Sequence, residues 1–504
     1  MASSDKLASP ISSAGPSEAP LDHDSTLRVA KSVSLSLGTE SLLVADDRPH
    51  KPDRGCCGLI SSKAETNTKN AISLYNVLDA QVNTSDLVIT YAAPSKNEEV
   101  TVTSLQYTIG DEERNTVEKW VNALLERSYE NSLHKKRLKV LINPFGGQGK
   151  AVSLYEKYAA KVFAAAQCKV DVQTTEYRGQ GTEIAEKIDI NAYDAIICCS
   201  GDGLMFEVLN GLGKRPDARL ALAKLAVGLL PGGSGNALTL NEFGTTTNVS
   251  VAALGIVKGV RTPLDLMSVS QKDSRVLSFL SQSFGIMADT DIGTDNIRWM
   301  GDKRFVYGYL VRLISNATFP CDIAIKVDIT DKKEMKERYA KLASREWNAS
   351  ADQRRIEEAE LSPALPELKY GGVSDEVPAD WTVVPGENIS TFFAGNMPSM
   401  GKDNQFFPAA WADDGFIDII TLDSTIPRLR TLKMMDQVPK AEFFDREDVN
   451  YVKASAYRLV PHLKEGYISI DGEEIPFEAF QTEIHQGLAT VLTKTGAVEV
   501  PFGP

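Results

Sequence analysis

The sequence has few cysteines and no long apolar run. Six cysteines occur among 504 residues, and four of them stand in two adjacent pairs. Such spacing does not form a disulfide framework, so we expect a reducing compartment. No apolar run reaches the ~20 residues of a transmembrane helix, and the N-terminus lacks the apolar core of a signal peptide. These absences argue against a secreted disulfide-stabilised protein and against an integral membrane protein.

Basic residues are also in deficit. Lys and Arg number 54 against 68 Asp and Glu, which gives a net charge of −14. Such a balance argues against nucleic acid as the main partner. It also argues against broad electrostatic adhesion to anionic membranes, although a local basic patch is compatible with it. The 42% hydrophobic and 24% charged residues are those of an ordinary globular chain with room for two or three domains.

What the chain does have is three glycine loops, each placed between an apolar strand-like run and a helix-like run. The loops cover residues 143–150, 200–203 and 231–237. In an open parallel sheet such loops meet at the carboxyl ends of the strands, where ligands bind. None is a Walker A loop, because Lys150 is followed by Ala151, and none matches the dinucleotide fingerprint. We therefore expect a nucleotide site for phosphoryl transfer on a different scaffold.

Asp202 lies inside the second loop, where the sequence reads Ser-Gly-Asp-Gly. Backbone N–H groups at the start of a helix suit a phosphate, which a neighbouring carboxylate would repel. The carboxylate therefore needs its own function, as a general base on an attacking hydroxyl or as a ligand of Mg²⁺. The simpler alternative is an Asp-Gly turn between a strand and a helix.

These loops resemble the diacylglycerol kinase catalytic domain, and residues 200–207 and 231–238 resemble its sphingosine kinase branch, of fungal type. The resemblance continues through residues 284–291, 406–410 and 471–473, and it covers roughly residues 137–328 and 388–495. The chain departs from it at Phe206, where animal relatives usually carry His, and at Phe145 and Gln148, where basic residues are common.

The resemblance implies a kinase dependent on ATP and Mg²⁺. It would phosphorylate the primary hydroxyl of sphingosine, dihydrosphingosine or phytosphingosine to the 1-phosphate. Three alternatives stay open: a ceramide or diacylglycerol kinase of the same superfamily, an NAD kinase, and a catalytically silent lipid-binding protein. An acid at position 291 favours a cationic sphingoid base over the neutral lipids.

The resemblance also assigns roles to particular residues, with Asp202 as the catalytic base. The residues that would contact ATP are Asn143, Thr175, Arg178, Ser200, Gly201, Gly203, Glu207, Gly233, Ser234, Arg298, Arg304, Asp471 and Glu473. Those that would contact the lipid are Asp291, Ser281 and Asp289, and those that would hold the metal are Asp471 and Asp202. From the residues, Glu207 would orient a loop or bind nucleotide, with a plain helix-surface acid as the simpler alternative. On spacing alone residues 471–473 are a hairpin turn, and on a generic helix Arg298 and Arg304 would face solvent.

The predicted fold class is a three-layer α/β nucleotide-binding domain followed by an antiparallel β-sandwich, with the active site in the cleft between them. The expected segments are a disordered tail (1–65), a small pleckstrin-like module (66–134), the catalytic domain (137–262) and a β-rich lipid-binding domain (263–496). Residues 330–387 would form a surface insertion of that last domain, partly helical and otherwise loose.

Two features suggest a peripheral membrane partner. Cys56 and Cys57 stand side by side in the tail, where they are either palmitoylation sites or idle thiols. Residues 297–314 mix aromatic and basic side chains, which suits either a mobile lid over an acyl-chain tunnel or an amphipathic core helix. We expect a cytoplasmic protein at intracellular membranes or the plasma membrane, and the sequence leaves a homodimer open.

Overall fold

The computed structural model describes residues 25–30, 33–46, 68–109, 114–233, 235–294, 297, 300, 303–315, 317–499 and 502–504. They fall into two compact units. The first runs up to Lys135 and includes Ala160–Lys169, and the second comprises Lys136–Ala159 and everything from Val170 onward. Within the described ranges, no helix has the length and apolar character needed to cross a bilayer.

The first unit is built from antiparallel strands closed by a helix. Its strands are β1 (Thr26–Ala30), β2 (Val33–Leu37), β3 (Ser41–Asp46), β4 (Thr68–Ser73), β5 (Val77–Val82), β6 (Asp86–Pro94) and β7 (Val100–Thr108). Strands β1–β4 form one sheet and β5–β7 another. Helix α1 (Arg114–Tyr129) buries Val117, Trp120, Val121 and Leu124 in their shared core, as its helical spacing predicts.

The expectation of disorder through residue 65 is wrong for β1, β2 and β3. In these strands apolar residues alternate with polar ones, so that Leu27 and Val29, then Val33 and Leu35, reach the core. A strand needs apolar residues on one face only, and a Ser-rich average conceals that pattern. The pleckstrin-like assignment stays a prediction, which seven antiparallel strands and a closing helix support. Cys56 and Cys57 lie outside the described residues.

The second unit carries the remaining strands and most of the helices. The strands are β8 (Arg137–Ile142), β9 (Lys169–Thr174), β10 (Ala195–Ser200), β11 (Ala226–Pro231), β12 (Val260–Gln271), β13 (Ser274–Ser278), β14 (Ser281–Gly285), β15 (Cys321–Ile329), β16 (Thr382–Val384), β17 (Ile389–Gly395), β18 (Ile417–Asp423), β19 (Asn450–Pro461), β20 (Ile468–Ile470), β21 (Glu473–Ile475) and β22 (Phe480–Thr493). The helices are α2 (Gly146–Gly149), α3 (Ala151–Leu154), α4 (Ala160–Ala165, in the first unit), α5 (Gln180–Lys187), α6 (Asp202–Gly213), α7 (Ala218–Lys224), α8 (Ala237–Phe243), α9 (Val249–Lys258), α10 (Ile286–Asp291), α11 (Lys303–Ser315), α12 (Lys332–Ala343), α13 (Ala349–Leu361) and α14 (Arg428–Gln437).

All fifteen strands β8–β22 belong to one mixed sheet. Strands β8, β10 and β11 are parallel neighbours, and β22 runs parallel to β11 but antiparallel to β12 and β19. The last strand of the chain therefore joins the α/β part to the antiparallel part. The predicted change from α/β to antiparallel β is present, but the two parts share a hydrogen-bonded sheet, which the expected separation into an α/β domain and a β-sandwich did not include.

The segment 330–387 is more ordered than the loose insertion that the sequence suggested. It contains α12, α13 and β16, and α13 is fixed to β22 by the largely buried guanidinium of Arg355. That group donates to the carbonyls of Gly487 (3.0 Å) and Ala489 (3.2 Å) and to Asp352 (2.8 Å). The sequence suggested that the charged residues of this segment face solvent. Arg355 instead donates to backbone carbonyls, because its planar guanidinium reaches several acceptors at once.

Candidate active site

The three glycine loops leave the sheet at one level. Cys199 is in register with Ile142 of β8, and Ser200 is in register with Pro231 of β11. The N–H of Asn143 donates to the carbonyl of Cys199 (3.2 Å), and the N–H of Gly232 donates to that of Ser200 (2.9 Å). Parallel strand ends thus bring together segments that lie up to ninety residues apart in sequence.

Glycine is required where these loops touch. A Cβ atom on Gly233 would lie 2.7 Å from the nitrogen of Gly201, and one on Gly146 would lie 3.0 Å from the carbonyl oxygen of Gly232. Backbone therefore packs directly on backbone, and the polar groups available at this edge are mainly peptide groups. Ser200 itself is buried at the end of β10. Ser234 lies outside the described residues.

Asp202 is the first residue of α6, and its carboxylate faces the start of α8. Its Oδ2 accepts from the N–H of Ala237 (2.9 Å), and its Oδ1 accepts from the N–H of Leu238 (3.0 Å). Burial raises the pKa of Asp202, and these backbone N–H groups partly offset that rise. The carboxylate is thus held rigidly and can still accept a proton from a hydroxyl.

Asn236 holds the third loop and was not singled out from the sequence. Its backbone is left-handed, with φ of 55°. Its Oδ1 accepts from the N–H of Gly233 (2.9 Å), and its Nδ2 donates to the carbonyls of Gly233 (3.0 Å) and Thr246 (2.8 Å). The available signal was an Asn directly after Gly-Ser-Gly, because Asn tolerates the left-handed region better than most residues.

Glu207 orients a loop, which is one of the two roles considered for it. Its two carboxylate oxygens accept from the N–H groups of Gly179 and Gly181, both at 2.9 Å. This fixes the turn between β9 and α5, which carries the exposed Arg178. At the end of β9, the N–H of Thr175 donates to the carbonyl of Ile142 (2.8 Å). Thr175 and Arg178 therefore lie on the strand and loop beside the first glycine loop.

Asp471 is buried. It opens the turn of the β20–β21 hairpin, and φ is positive at both Asp471 (54°) and Gly472 (83°), as such two-residue turns require. The carboxylate accepts from the hydroxyl of Ser278 (2.8 Å) and from the N–H groups of residues 279, 280 and 281 (each 2.9 Å). Burial nevertheless raises the pKa of Asp471 to about 6. Both oxygens are committed to the turn between β13 and β14.

Glu473, two residues later, faces the glycine loops. Its side chain pairs with Arg178. A Cβ atom on Gly203 would lie 2.8 Å from its Oε1, so the carboxylate reaches the first turn of α6. The hairpin thus brings Glu473, and not Asp471, to the predicted phosphate site.

The predicted metal pair does not fit this geometry. Asp471 has both oxygens engaged by four donors, so it is poorly suited to bind a cation. Among the described residues, no three His, Cys, Asp or Glu side chains gather in a way that could hold a metal. Asp202 lies at the phosphate edge, where backbone N–H groups of α8 hold its carboxylate. Because Mg²⁺ takes most of its ligands from water and phosphate oxygens in such sites, one carboxylate is compatible with an ion that arrives with the nucleotide.

Asp291 ends α10 and contacts the hairpin strand. Its Oδ2 accepts from the hydroxyl of Ser469 on β20 at 2.6 Å, a partner that the sequence did not reveal. Ser281 lies one strand away, where its N–H binds Asp471. Asp289 was predicted to contact the lipid, but its carboxylate pairs with Arg312 of α11 at 2.9 Å and so joins α10 to α11.

Arg304 lies on α11 and is 7% exposed. Its Nη1 donates to the carbonyl oxygen of Asp291 (3.1 Å) and to the hydroxyl of Thr294 (3.3 Å). These contacts fix the connection between α10 and α11, and a phosphate contact stays a prediction. Its expected partner in that role, Arg298, lies outside the described residues.

An apolar cavity lies against α10, the helix that ends at Asp291. Its wall includes Met287, Tyr309, Phe393, Phe406, Met434 and Met435. Met287 and Asp291 lie four positions apart on α10, so they share one helical face. Asp291 is therefore one helical turn from a residue of the cavity wall. Helix α11, which the sequence marked as lid or core helix, contributes to that wall through Tyr309.

Comparison with known proteins indicates the same family that the glycine loops resemble. Residues 137–269 match the family described as "Diacylglycerol kinase catalytic domain", and residues 25–130 match a domain of unknown function (DUF7493). "Sphingoid long chain base kinase 4" of Schizosaccharomyces pombe is 35% identical over 75% of this chain and 79% of its own length. The chain belongs to the sphingoid long chain base kinase family. The predicted family is thereby confirmed.

Two further relatives also carry kinase names. "Sphingoid long chain base kinase 5" of Saccharomyces cerevisiae is 33% identical over 75% of this chain, which spans 62% of that protein's length. "Sphingosine kinase 1" of Homo sapiens is 28% identical over 72% of this chain and 92% of its own. Among solved structures, a putative diacylglycerol kinase from Bacillus anthracis covers 72% of this chain and 96% of its own, with 20% identity and a TM-score of 0.49. At that TM-score the likeness carries no conclusion about this chain.

Proposed function

We propose that the protein transfers the terminal phosphate of ATP to the primary hydroxyl of a sphingoid long-chain base. The observation that carries this proposal is the position of Asp291 one helical turn from Met287, which lines the apolar cavity. A carboxylate next to an apolar cavity matches a lipid with an ammonium head and a hydrocarbon tail. Ceramide and diacylglycerol have no cation, so they would leave the acid unmatched.

The phosphate end of the site works by placement and electrostatics. Peptide groups of the three loops would hold the phosphates of ATP, with Arg178 and Glu473 at the rim. Asp202 would take the proton of the lipid hydroxyl as the oxygen attacks the terminal phosphorus. Because burial raises its pKa, Asp202 is a stronger base than an exposed aspartate and remains suited to proton transfer at neutral pH.

Mg²⁺ belongs to this proposal as the companion of ATP. Asp202 would hold it, since that carboxylate lies at the phosphate edge of the site. When bound, the ion would neutralise negative charge on the phosphate groups. The chain's own contribution is the rigid position of Asp202, which two backbone N–H groups of α8 secure.

A lipid panel with labelled ATP tests the proposed activity. We expect transfer to sphingosine, dihydrosphingosine and phytosphingosine, with little transfer to ceramide, diacylglycerol or NAD. Preferential labelling of a neutral lipid would replace the proposal with the ceramide or diacylglycerol alternative. Labelling of NAD would favour the NAD kinase alternative. No transfer to any acceptor, with ATP still bound, would favour a silent lipid-binding protein.

We also propose peripheral contact with a membrane, which a lipid substrate requires. The outer face of α11 exposes apolar side chains, including Val306 (63%), Tyr307 (55%) and Ile314 (67%). Exposed apolar groups on a helix that walls the cavity suit contact with a bilayer. Palmitoylation of Cys56 and Cys57 would add to it. Replacing both cysteines with Ser should move the protein to the soluble fraction of cells, and an unchanged membrane fraction would contradict the palmitoylation.

A further inference from the structure

Two hydroxyl groups in the wall of the apolar cavity lack partners. Tyr309 of α11 and Thr391 of β17 both line it, and they are 7% and 4% exposed. Within the described part of the chain, neither the Tyr309 hydroxyl nor the Thr391 hydroxyl has a hydrogen-bond partner. A buried hydroxyl without a partner costs about 1–3 kcal/mol, so two of them in one otherwise apolar wall call for an explanation.

Their place in the fold limits which part of a lipid they would meet. Thr391 is in register with Gly285, the residue directly before α10. Tyr309 follows Gly308, where a Cβ atom would lie 3.4 Å from Thr290 of α10. Helix α10 has six residues and ends at Asp291, which makes it about 9 Å long. The backbone of Tyr309 therefore lies near the end of α10, and that of Thr391 lies beside its start. Both positions are thus within about one length of α10, ~9 Å, of Asp291, a span that covers the first several carbons beyond the amine.

We infer that Tyr309 and Thr391 select a long-chain base with an additional hydroxyl near its amine, as in phytosphingosine. The inference rests on the proposed function and names the substrate within it. A plain methylene chain would leave both hydroxyls unpaired in the complex, whereas a chain hydroxyl within reach of either one would give it a hydrogen-bond partner. Sites that hydrogen-bond a substrate hydroxyl discriminate strongly against analogues that lack it.

Phytosphingosine and dihydrosphingosine make the test sharp, because they differ by one hydroxyl on the fourth carbon. We expect wild-type kcat/KM to favour phytosphingosine by about tenfold, the value of one well-made buried hydrogen bond. Tyr309→Phe and Thr391→Val remove the hydroxyls and keep the shape. In the double variant the ratio between the two bases should fall to near one, mainly through loss of activity on phytosphingosine.

Thr290→Val is the matched control. The Thr290 hydroxyl is also buried without a partner among the described residues, but it does not line the cavity. This control should leave the ratio unchanged. The double variant should melt at the wild-type temperature or above, since it removes unpaired polar groups. A lower melting temperature with an unchanged ratio would show that the hydroxyls serve the fold through trapped water, which would overturn the inference.

The remaining outcomes separate this inference from the proposed function. If the wild type phosphorylates both bases equally well, or prefers dihydrosphingosine, the selection by Tyr309 and Thr391 is wrong and the kinase assignment stands. If the wild type phosphorylates neither base, the proposed function itself fails.

Discussion

The phosphate end and the lipid end of the site are built in different ways. The phosphate end uses peptide groups from three loops between residues 143 and 237, and its close contacts require glycine. The lipid end uses side chains from α10, α11, α14 and β17, which lie far apart in the chain and meet through tertiary packing. Local turn chemistry therefore specifies the first end, and the packing of distant elements specifies the second.

The largest effect should come from Asp202, which supplies the side-chain chemistry at the backbone-built end. Asp202→Asn keeps the shape and removes the base, so kcat should fall by about 10²–10⁴-fold. ATP binding should be largely retained because the loop N–H groups remain. Turnover at saturating lipid and titration of ATP binding check this. More than about half of wild-type turnover would show that Asp202 is only a cap of α8.

Asp291 tests the side-chain-built end. Asp291→Asn removes the charge but keeps an acceptor for Ser469, so the KM for sphingosine should rise about ten- to a hundred-fold. Discrimination against the neutral N-acetyl analogue should weaken. Asp289→Asn is the control, because Asp289 pairs with Arg312 and should not change that discrimination. A lipid ratio unaffected by Asp291→Asn would return the ceramide and diacylglycerol alternatives to consideration.

Gly233 tests whether backbone contact builds the phosphate end. In Gly233→Ala the new methyl group would collide with Gly201 and push the second and third loops apart. Strain of about 1–3 kcal/mol is expected, which should weaken ATP binding by about tenfold while the KM for lipid changes little. Gly372→Ala is the control, since its nearest neighbour would be a side-chain oxygen 3.8 Å away. Equal ATP affinity in both variants would show that the loops have room to move.

The difference between local turn chemistry and the packing of distant elements also explains how well the sequence predicted each end of the site. The loops, Asp202 and the parallel strands were predictable, because apolar runs followed by glycine turns fix both the strand and the site at its end. The partners of Asp289 and Asp471 were not predictable, because Arg312 and Ser278 come from other elements. Spacing places a carboxylate on a helix or turn, but it does not show which distant donor reaches it.

The errors outside the site have a related cause. Residues 1–65 were judged by average composition, which hides the alternation in β1–β3. Residues 330–387 were judged by their charges, and Arg355 uses its charge to bind carbonyls of β22. Order comes from pairing between neighbouring strands in the first segment and from contacts with the distant strand β22 in the second. Average composition reports neither.

Asp471 should give the smallest effect on catalysis, and it separates a structural acid from a functional one. Asp471→Asn loses acceptor capacity toward four donors, so stability should fall by about 1–3 kcal/mol. The Mg²⁺ concentration for half-maximal activity should not change at temperatures where the variant is folded. Asp380→Asn, at an exposed acid paired with Lys326, is the control and should leave the melting temperature unchanged.

The pH dependence of stability sharpens this last comparison. The folded-state pKa of Asp471 is raised to about 6, above the ~3.9 of an unfolded aspartate. The folded state therefore binds the proton more tightly, and the resulting stability is fully present below about pH 4 and is lost as the pH rises through about 6. The difference in melting temperature between wild type and Asp471→Asn should thus be larger at pH 4.5 than at pH 7.5. An unchanged melting temperature with a raised Mg²⁺ requirement would instead make Asp471 the metal ligand that the sequence suggested.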